Sequence, residues 1–127
     1  MLIAANRKDD FMKGLLLTLV IALLSIPAFA ESGCTRQDIS LGQYKIRAEY
    51  GWFIIVGDLT NNCSEPTGVE LRVTLYGADN AVLDTNNFWP ASMSNIPPKS
   101  RYPVKTMLTY QDGIKRFDVR VESVRRW

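Results

Sequence analysis

The chain has 127 residues, 15 basic and 13 acidic side chains, two cysteines and no histidine. That length suits one domain, and the formal net charge of +2 predicts no attraction to nucleic acid or to an anionic membrane surface. The missing histidine removes Ser-His-Asp and Cys-His nucleophilic machinery, and with it the commonest metal ligand and proton shuttle.

The first thirty residues do not read as part of a domain. Met12-Lys13-Gly14 gives a charged start, residues 15–26 are an apolar run, and Pro27-Ala28-Phe29-Ala30 ends in an Ala-x-Ala cut site. That order is a secretory signal. The run is short of the roughly 20 residues a spanning helix wants, and Pro27 breaks it before the cut. Asn6, Asp9 and Asp10 spoil a signal's charged start, so translation is expected to begin at Met12. The expected organisation is an upstream extension and signal peptide over residues 1–30 and a β-sandwich domain over 31–127. Its expected location is periplasmic or secreted, without stable membrane insertion.

Cys34 and Cys63 both fall in the exported part, where an oxidising compartment favours a bridge. The bridge would close a loop of about 30 residues, worth roughly 3–4 kcal/mol on the chain-entropy argument. Ser32-Gly33-Cys34 also ends like a lipoprotein box, but Glu31 stands where that box wants an apolar residue. Acylation would also strand Cys63, so the disulfide is the expectation.

Apolar residues beyond residue 30 alternate in short runs rather than at helical spacing. Residues 44–50 alternate apolar and charged, predicting a half-exposed strand. Residues 52–60 are apolar on both faces, predicting a central strand covered on both sides. Tyr50-Gly51 joins them as a two-residue turn. That turn sets Ile46 opposite Ile55, Ala48 opposite Phe53 and Lys45 opposite Val56, and places Cys63 opposite Asp38 with Cys34 close by. Residues 61–68 are rich in turn formers. Residues 69–76 alternate most cleanly, with Val69, Leu71, Val73 and Leu75 pointing one way. Residues 77–80 turn, and residues 81–88 form a weaker strand at an edge, ending at Trp89-Pro90.

Residues 92–101 form a loop with Pro97 and Pro98, in which Ile96 is the inward plug. Residues 102–110 make the next strand, turned by Gln111-Asp112-Gly113. Residues 114–124 close the fold with Phe117, Val119 and Val121 on one face. Trp127 reads as the end of a frayed last strand, since the chain is too short for a membrane barrel. About six strands spaced by turns predict a small all-β fold, an antiparallel immunoglobulin-like sandwich.

Gly57-Asp58-Leu59-Thr60-Asn61, followed by the strand that ends Leu75-Tyr76 and by a proline-marked loop, resembles the FxLyD family of bacterial envelope domains. The resemblance spans about residues 44–122. The chain departs from the family at Val73, where a Phe would stand, at Gly77, where an Asp would stand, and at Lys99, where a Gly often follows the proline. The resemblance implies an exported immunoglobulin-like sandwich with no catalytic residues to carry over.

There is no phosphate-binding glycine loop, no zinc-ligand set and no Cys-x-x-Cys redox pair, and no cofactor is expected. Asp58, Asp79, Asp84 and Asp112 are the acids that could serve glycoside cleavage or calcium. Acids at turns usually have local reasons. Lys99, Arg101 and Lys105 make a small basic patch. Trp52, Trp89 and Tyr110 form the candidate binding surface, because exposed aromatics anchor interfaces; such a tryptophan also often packs over a sandwich end. The expected function is a non-catalytic exported binding or assembly module of the bacterial cell envelope, recognising an envelope protein or a glycan. The edge strand around residues 82–88 is where a partner strand would add. A small secreted hydrolase using surface carboxylates and a structural subunit of a surface assembly are the alternatives.

Overall fold

Tyr50 and Gly51 both adopt positive φ, 49° and 81°, the backbone of the tight hairpin turn whose twist matches its flanking strands. They join two of the seven strands in the computed structural model, which describes residues 33–127; the signal-peptide reading and the start at Met12 lie outside them. The strands are β1 (Ile39–Leu41), β2 (Lys45–Glu49), β3 (Trp52–Asn61), β4 (Gly68–Tyr76), β5 (Val82–Phe88), β6 (Ser100–Thr109) and β7 (Arg116–Arg125). The only helical segments among the described residues are two 3-10 turns, Arg36–Asp38 and Ala78–Asn80.

The strands make two antiparallel sheets. In the first, β3 lies between β6 on one side and β1 and β2 on the other; in the second, β4 lies between β5 and β7. The chain changes sheet after β3, after β5 and after β6. That connectivity gives the immunoglobulin-type Greek key: β2, β3 and β6 stand where strands A, B and E do, β4 and β7 where C and F do, with β5 as C′. The protein is an all-β antiparallel sandwich of that class.

The inner faces follow the period of two that a strand imposes. Val69, Leu71, Val73 and Leu75 of β4 are all buried, as are Phe53, Ile55 and Leu59 of β3. Two core clusters result. Ile39, Leu59, Leu71, Ile96 and Val104 fill the end nearer the disulfide; Phe53, Ile55, Val73, Leu75 and Leu108 fill the end nearer the Tyr50-Gly51 hairpin. Each fully buried Leu or Ile contributes roughly 1.5–3 kcal/mol of apolar burial. Ile96 is 1 % exposed, the plug its loop position predicted, and it forms a bridge to Thr67.

Two expectations need correction. Cover on both faces of β3 holds at Ile54, which is buried, but Trp52 is 44 % exposed. Among the described residues no second layer lies outside this sheet, and Ile54 is flanked by Arg47 and Met107 in its own plane. Trp127 is not frayed. Asn95 grips its backbone from both sides, accepting from the Trp127 N–H at 2.9 Å and donating to its carbonyl at 3.2 Å. Its ring meets Trp89 edge-on with centroids 5.2 Å apart and carries the Arg125 guanidinium 4.2 Å above it.

The hairpin register is the predicted one from Lys45↔Val56 to Glu49↔Trp52. Beyond Tyr44 it slips by one, to Leu41↔Leu59 and Ile39↔Asn61. The slip has a local cause. The Tyr44 ring lies against Gly57, where a Cβ would collide with it, and its hydroxyl donates to the Asp58 carbonyl at 2.8 Å. The Gly42 N–H reaches that same carbonyl at 3.0 Å. The proximity of the sulfurs survives the slip: Cys34 and Cys63 are bonded, with Cα atoms 5.7 Å apart.

Candidate functional site

The three aromatics singled out from the sequence do not gather into one surface. Trp52 begins β3 and pairs with Thr109 at the hairpin end of the sandwich. Tyr110 follows β6 at the same end, its N–H donating to the Gly51 carbonyl at 3.0 Å. Alternation puts the two on opposite faces of their sheet: Tyr110 stacks on the core residue Phe53, centroids 4.9 Å apart, while Trp52 faces outward. The Asp112 carboxylate hydrogen-bonded to the Tyr110 phenol, with its negative charge, raises that phenol's pKa. Trp89 lies at the other end, half-buried against Trp127.

Trp52 does share a groove with the edge strand: an opening of about 210 Å³ is lined by Trp52 and Met107 of the first sheet and by Asp84, Thr85 and Asn86 of β5. The edge position predicted for β5 is correct, since it pairs only with β4.

The acids are placed separately. Asp58 on β3 accepts the Arg101 guanidinium, with the Nε contact at 2.8 Å. Asp79 sits at positive φ in the turn between β4 and β5. Asp84 lies on β5 and caps the N–H of Thr85 at 2.8 Å. Asp112 lies in the turn after β6, beside Tyr110. Among the described residues no three Asp, Glu or Cys side chains come together as a metal-holding group. Two residues of the basic patch are engaged in structure: Lys99 donates to the Asn62 carbonyl and Arg101 pairs with Asp58.

A further opening is one the sequence did not point to. The sandwich is incompletely closed where β2 of the first sheet lies over β7 of the second, leaving a cleft of about 470 Å³. Its floor is Ile46, Ala48, Phe53, Ile114 and Phe117. Ala48 has the inward parity of Ile46, yet it is exposed, because its methyl is too small to reach the opposite sheet. Three basic residues also line the cleft, Arg47 on β2, Lys115 just before β7 and Arg116 at its start, although alternation turns the Arg47 and Arg116 side chains toward the outer faces of their sheets.

Two of these cations are held in place. Arg116 stacks 3.7 Å over the Tyr76 ring and donates from Nε to Asn80 at 3.1 Å. Arg47 pairs with Glu49 at 3.0 Å, at a solvent-exposed position. The Lys115 N–H is fixed to the Tyr76 carbonyl at 2.7 Å, which anchors the lip while leaving the side chain exposed. A cleft with an apolar floor, a few charged groups at its mouth and a volume of several hundred Å³ has the character of a small-ligand site.

Sequence reasoning missed this site because it depends on which strand of one sheet overlies which strand of the other. Two local signals were present: a small residue, Ala48, at an inward position, and three basic residues flanking Ile46, Ala48 and Phe117.

No protein-family model matches the chain, and no curated protein matches its sequence. Among solved structures, it is similar to the crystal structure of a DUF1425 family member from Shewanella sp. pv-4. That match has a TM-score of 0.50 at 12 % sequence identity and covers 66 % of this chain and 76 % of the other. The class of protein is therefore a small antiparallel β-sandwich whose architecture recurs in a bacterial protein. At that identity the likeness concerns the fold alone.

Proposed function

We propose that this protein is a non-catalytic, exported binding module of the bacterial cell envelope, and that its binding face is the cleft between β2 and β7. The observation that carries the reading is the cleft itself: an apolar floor open to solvent, with three basic residues and no acidic one in its lining. Export is supported by the signal-like order of residues 12–30 and by the Cys34–Cys63 bridge, which suits an oxidising compartment. The fold likeness to a bacterial protein is compatible with it. The finer resemblance to FxLyD domains rests on the Gly57-to-Asn61 pattern and belongs to this proposal.

In-cell photo-crosslinking tests the reading. A photoreactive amino acid replaces Ala48 in the cleft or Arg120 on the outer face of β7, and adducts are read by mass spectrometry. A discrete adduct from position 48 and none from position 120 is expected. Equal labelling at both, or labelling only at 120, overturns the reading.

A second reading, assembly by strand addition, is favoured by one observation. β5 is an edge strand with Asp84 as its single charge and with Thr85, Asn86 and Asn87 exposed. Edges so lightly charged are the ones that pair with other chains. Size-exclusion chromatography tests it: a concentration-dependent dimer that Thr85→Pro abolishes supports the reading, and a monomer at every concentration removes it.

A further inference from the structure

The cleft between β2 and β7 pairs two chemistries. Its floor, contributed by Ile46, Ala48, Phe53, Ile114 and Phe117, is hydrocarbon, and burying an apolar chain there is worth roughly 0.8 kcal/mol per methylene. Its lining includes Arg47, Lys115 and Arg116 and no acidic side chain. Glu49, two residues beyond Arg47 on β2, is paired with it. Strand alternation turns Arg47 and Arg116 toward the outer faces of their sheets, so among the lining residues Lys115 is the cation left to meet an anion at the mouth. Arg116 is held by Tyr76 and Asn80 on the outer face of its sheet.

We infer that the cleft binds a monomeric, single-chain anionic amphiphile, with its acyl body on the Phe53–Phe117 floor and its acidic head at Lys115 on the cleft's basic margin. Charge complementarity selects the head and the hydrocarbon floor selects the body. An acidic peptide in extended form matches less well, because it would lay polar backbone groups on that floor and leave them unpaired. The inference rests on the proposed role of the cleft and names its ligand class.

The test is binding of dodecanoate to the purified protein by titration calorimetry, below the concentration at which the probe self-associates. Dodecyltrimethylammonium, octanoate and decanoate are compared, together with vesicles of anionic phospholipid. Dodecanoate is expected to bind at least tenfold more tightly than the cationic probe of equal length. Each two-carbon shortening is expected to weaken binding by roughly tenfold. Ala48→Glu, which puts an anion in the floor at an exposed position, and Lys115→Glu should each weaken dodecanoate at least tenfold. Arg120→Glu, on the outer face of β7, should leave it unchanged. Circular dichroism on each variant reports whether the sandwich is retained, and Lys115→Glu, at an exposed site, serves if Ala48→Glu unfolds.

Equal affinity for the two head charges, or dodecanoate binding that neither folded variant alters, overturns the inference. So does binding to vesicles with none to the monomer. If position 48 crosslinks in cells while every amphiphile fails in vitro, the cleft remains the binding face and only the ligand class is wrong.

Discussion

The side chain of Asn61 donates from Nδ2 to the carbonyl of Ile96 at 3.0 Å, and both residues are almost wholly buried. The same amide nitrogen reaches the carbonyls of Glu65 and Pro97, and Oδ1 accepts the Cys63 N–H at 3.0 Å. One amide thus organises the loop from β3 to β4 and ties it to the loop that carries Ile96 inward. Asn61→Ala strands several buried backbone groups and should cost about 2–3 kcal/mol of unfolding free energy in urea. Asn61→Asp should cost at least as much, because an ionised carboxylate has no proton to give to a carbonyl. A loss under 0.5 kcal/mol for both would show that the loop holds itself.

Gly57 seats the Tyr44 ring against the backbone of β3. Gly57→Ala should destabilise the protein by about 1–3 kcal/mol through overpacking, and the lesion should show as a disturbed Tyr44 ring signal by NMR. Gly113→Ala offers a contrast, since its site is open but its φ is +88°; its cost is backbone strain at a turn and should leave Tyr44 undisturbed.

The Tyr44 phenol gives a pH signature. Burial, and secondarily the negative charge of Asp58, push its pKa from 10.0 up to about 12. The fold therefore favours the protonated phenol. Its contribution is whole below pH 10, the unfolded value, and is lost as pH rises from 10 to 12. Screening at this partly solvated site leaves an effect on the order of 1 kcal/mol. Urea midpoints for the native protein and Tyr44→Phe, compared at pH 9 and pH 11.5, should converge at the higher pH; a constant gap would contradict the assignment.

The Cys34–Cys63 bridge links residues 29 apart in sequence and sits at the end of the sandwich away from the cleft. Replacing both cysteines by serine should lower stability by about 3–4 kcal/mol while changing ligand affinity at the cleft less than twofold. A large loss of affinity in a folded double variant would mean that the two ends are coupled.

The fold was largely readable from alternation. Val69, Leu71, Val73 and Leu75 announced their inward face, and the Tyr50-Gly51 turn fixed the hairpin register as far as Lys45↔Val56. The pattern Gly57-x-Leu59-x-Asn61 also proved structural at each position: a seat for an aromatic ring, a buried core residue and a backbone clamp. What alternation could not supply was the slip beyond Tyr44, which a side chain packed on a glycine imposes, or the three-residue strand β1 that follows from it. Nor could it supply the site. Trp52, Tyr110 and Trp89 stood out as aromatics, yet the strand order separates them. The cleft depends on the crossing of β2 over β7, a long-range relation that no local window contains.

Hydrogen exchange followed by mass spectrometry, on the purified protein with and without envelope extract, tests the role of the cleft most directly. Slowed exchange in peptides covering residues 45–53 and 114–118, with β5 and the Trp89–Trp127 end unchanged, is the predicted result. Protection confined to residues 82–89, or to the disulfide end, with the cleft peptides exchanging as before, would contradict it.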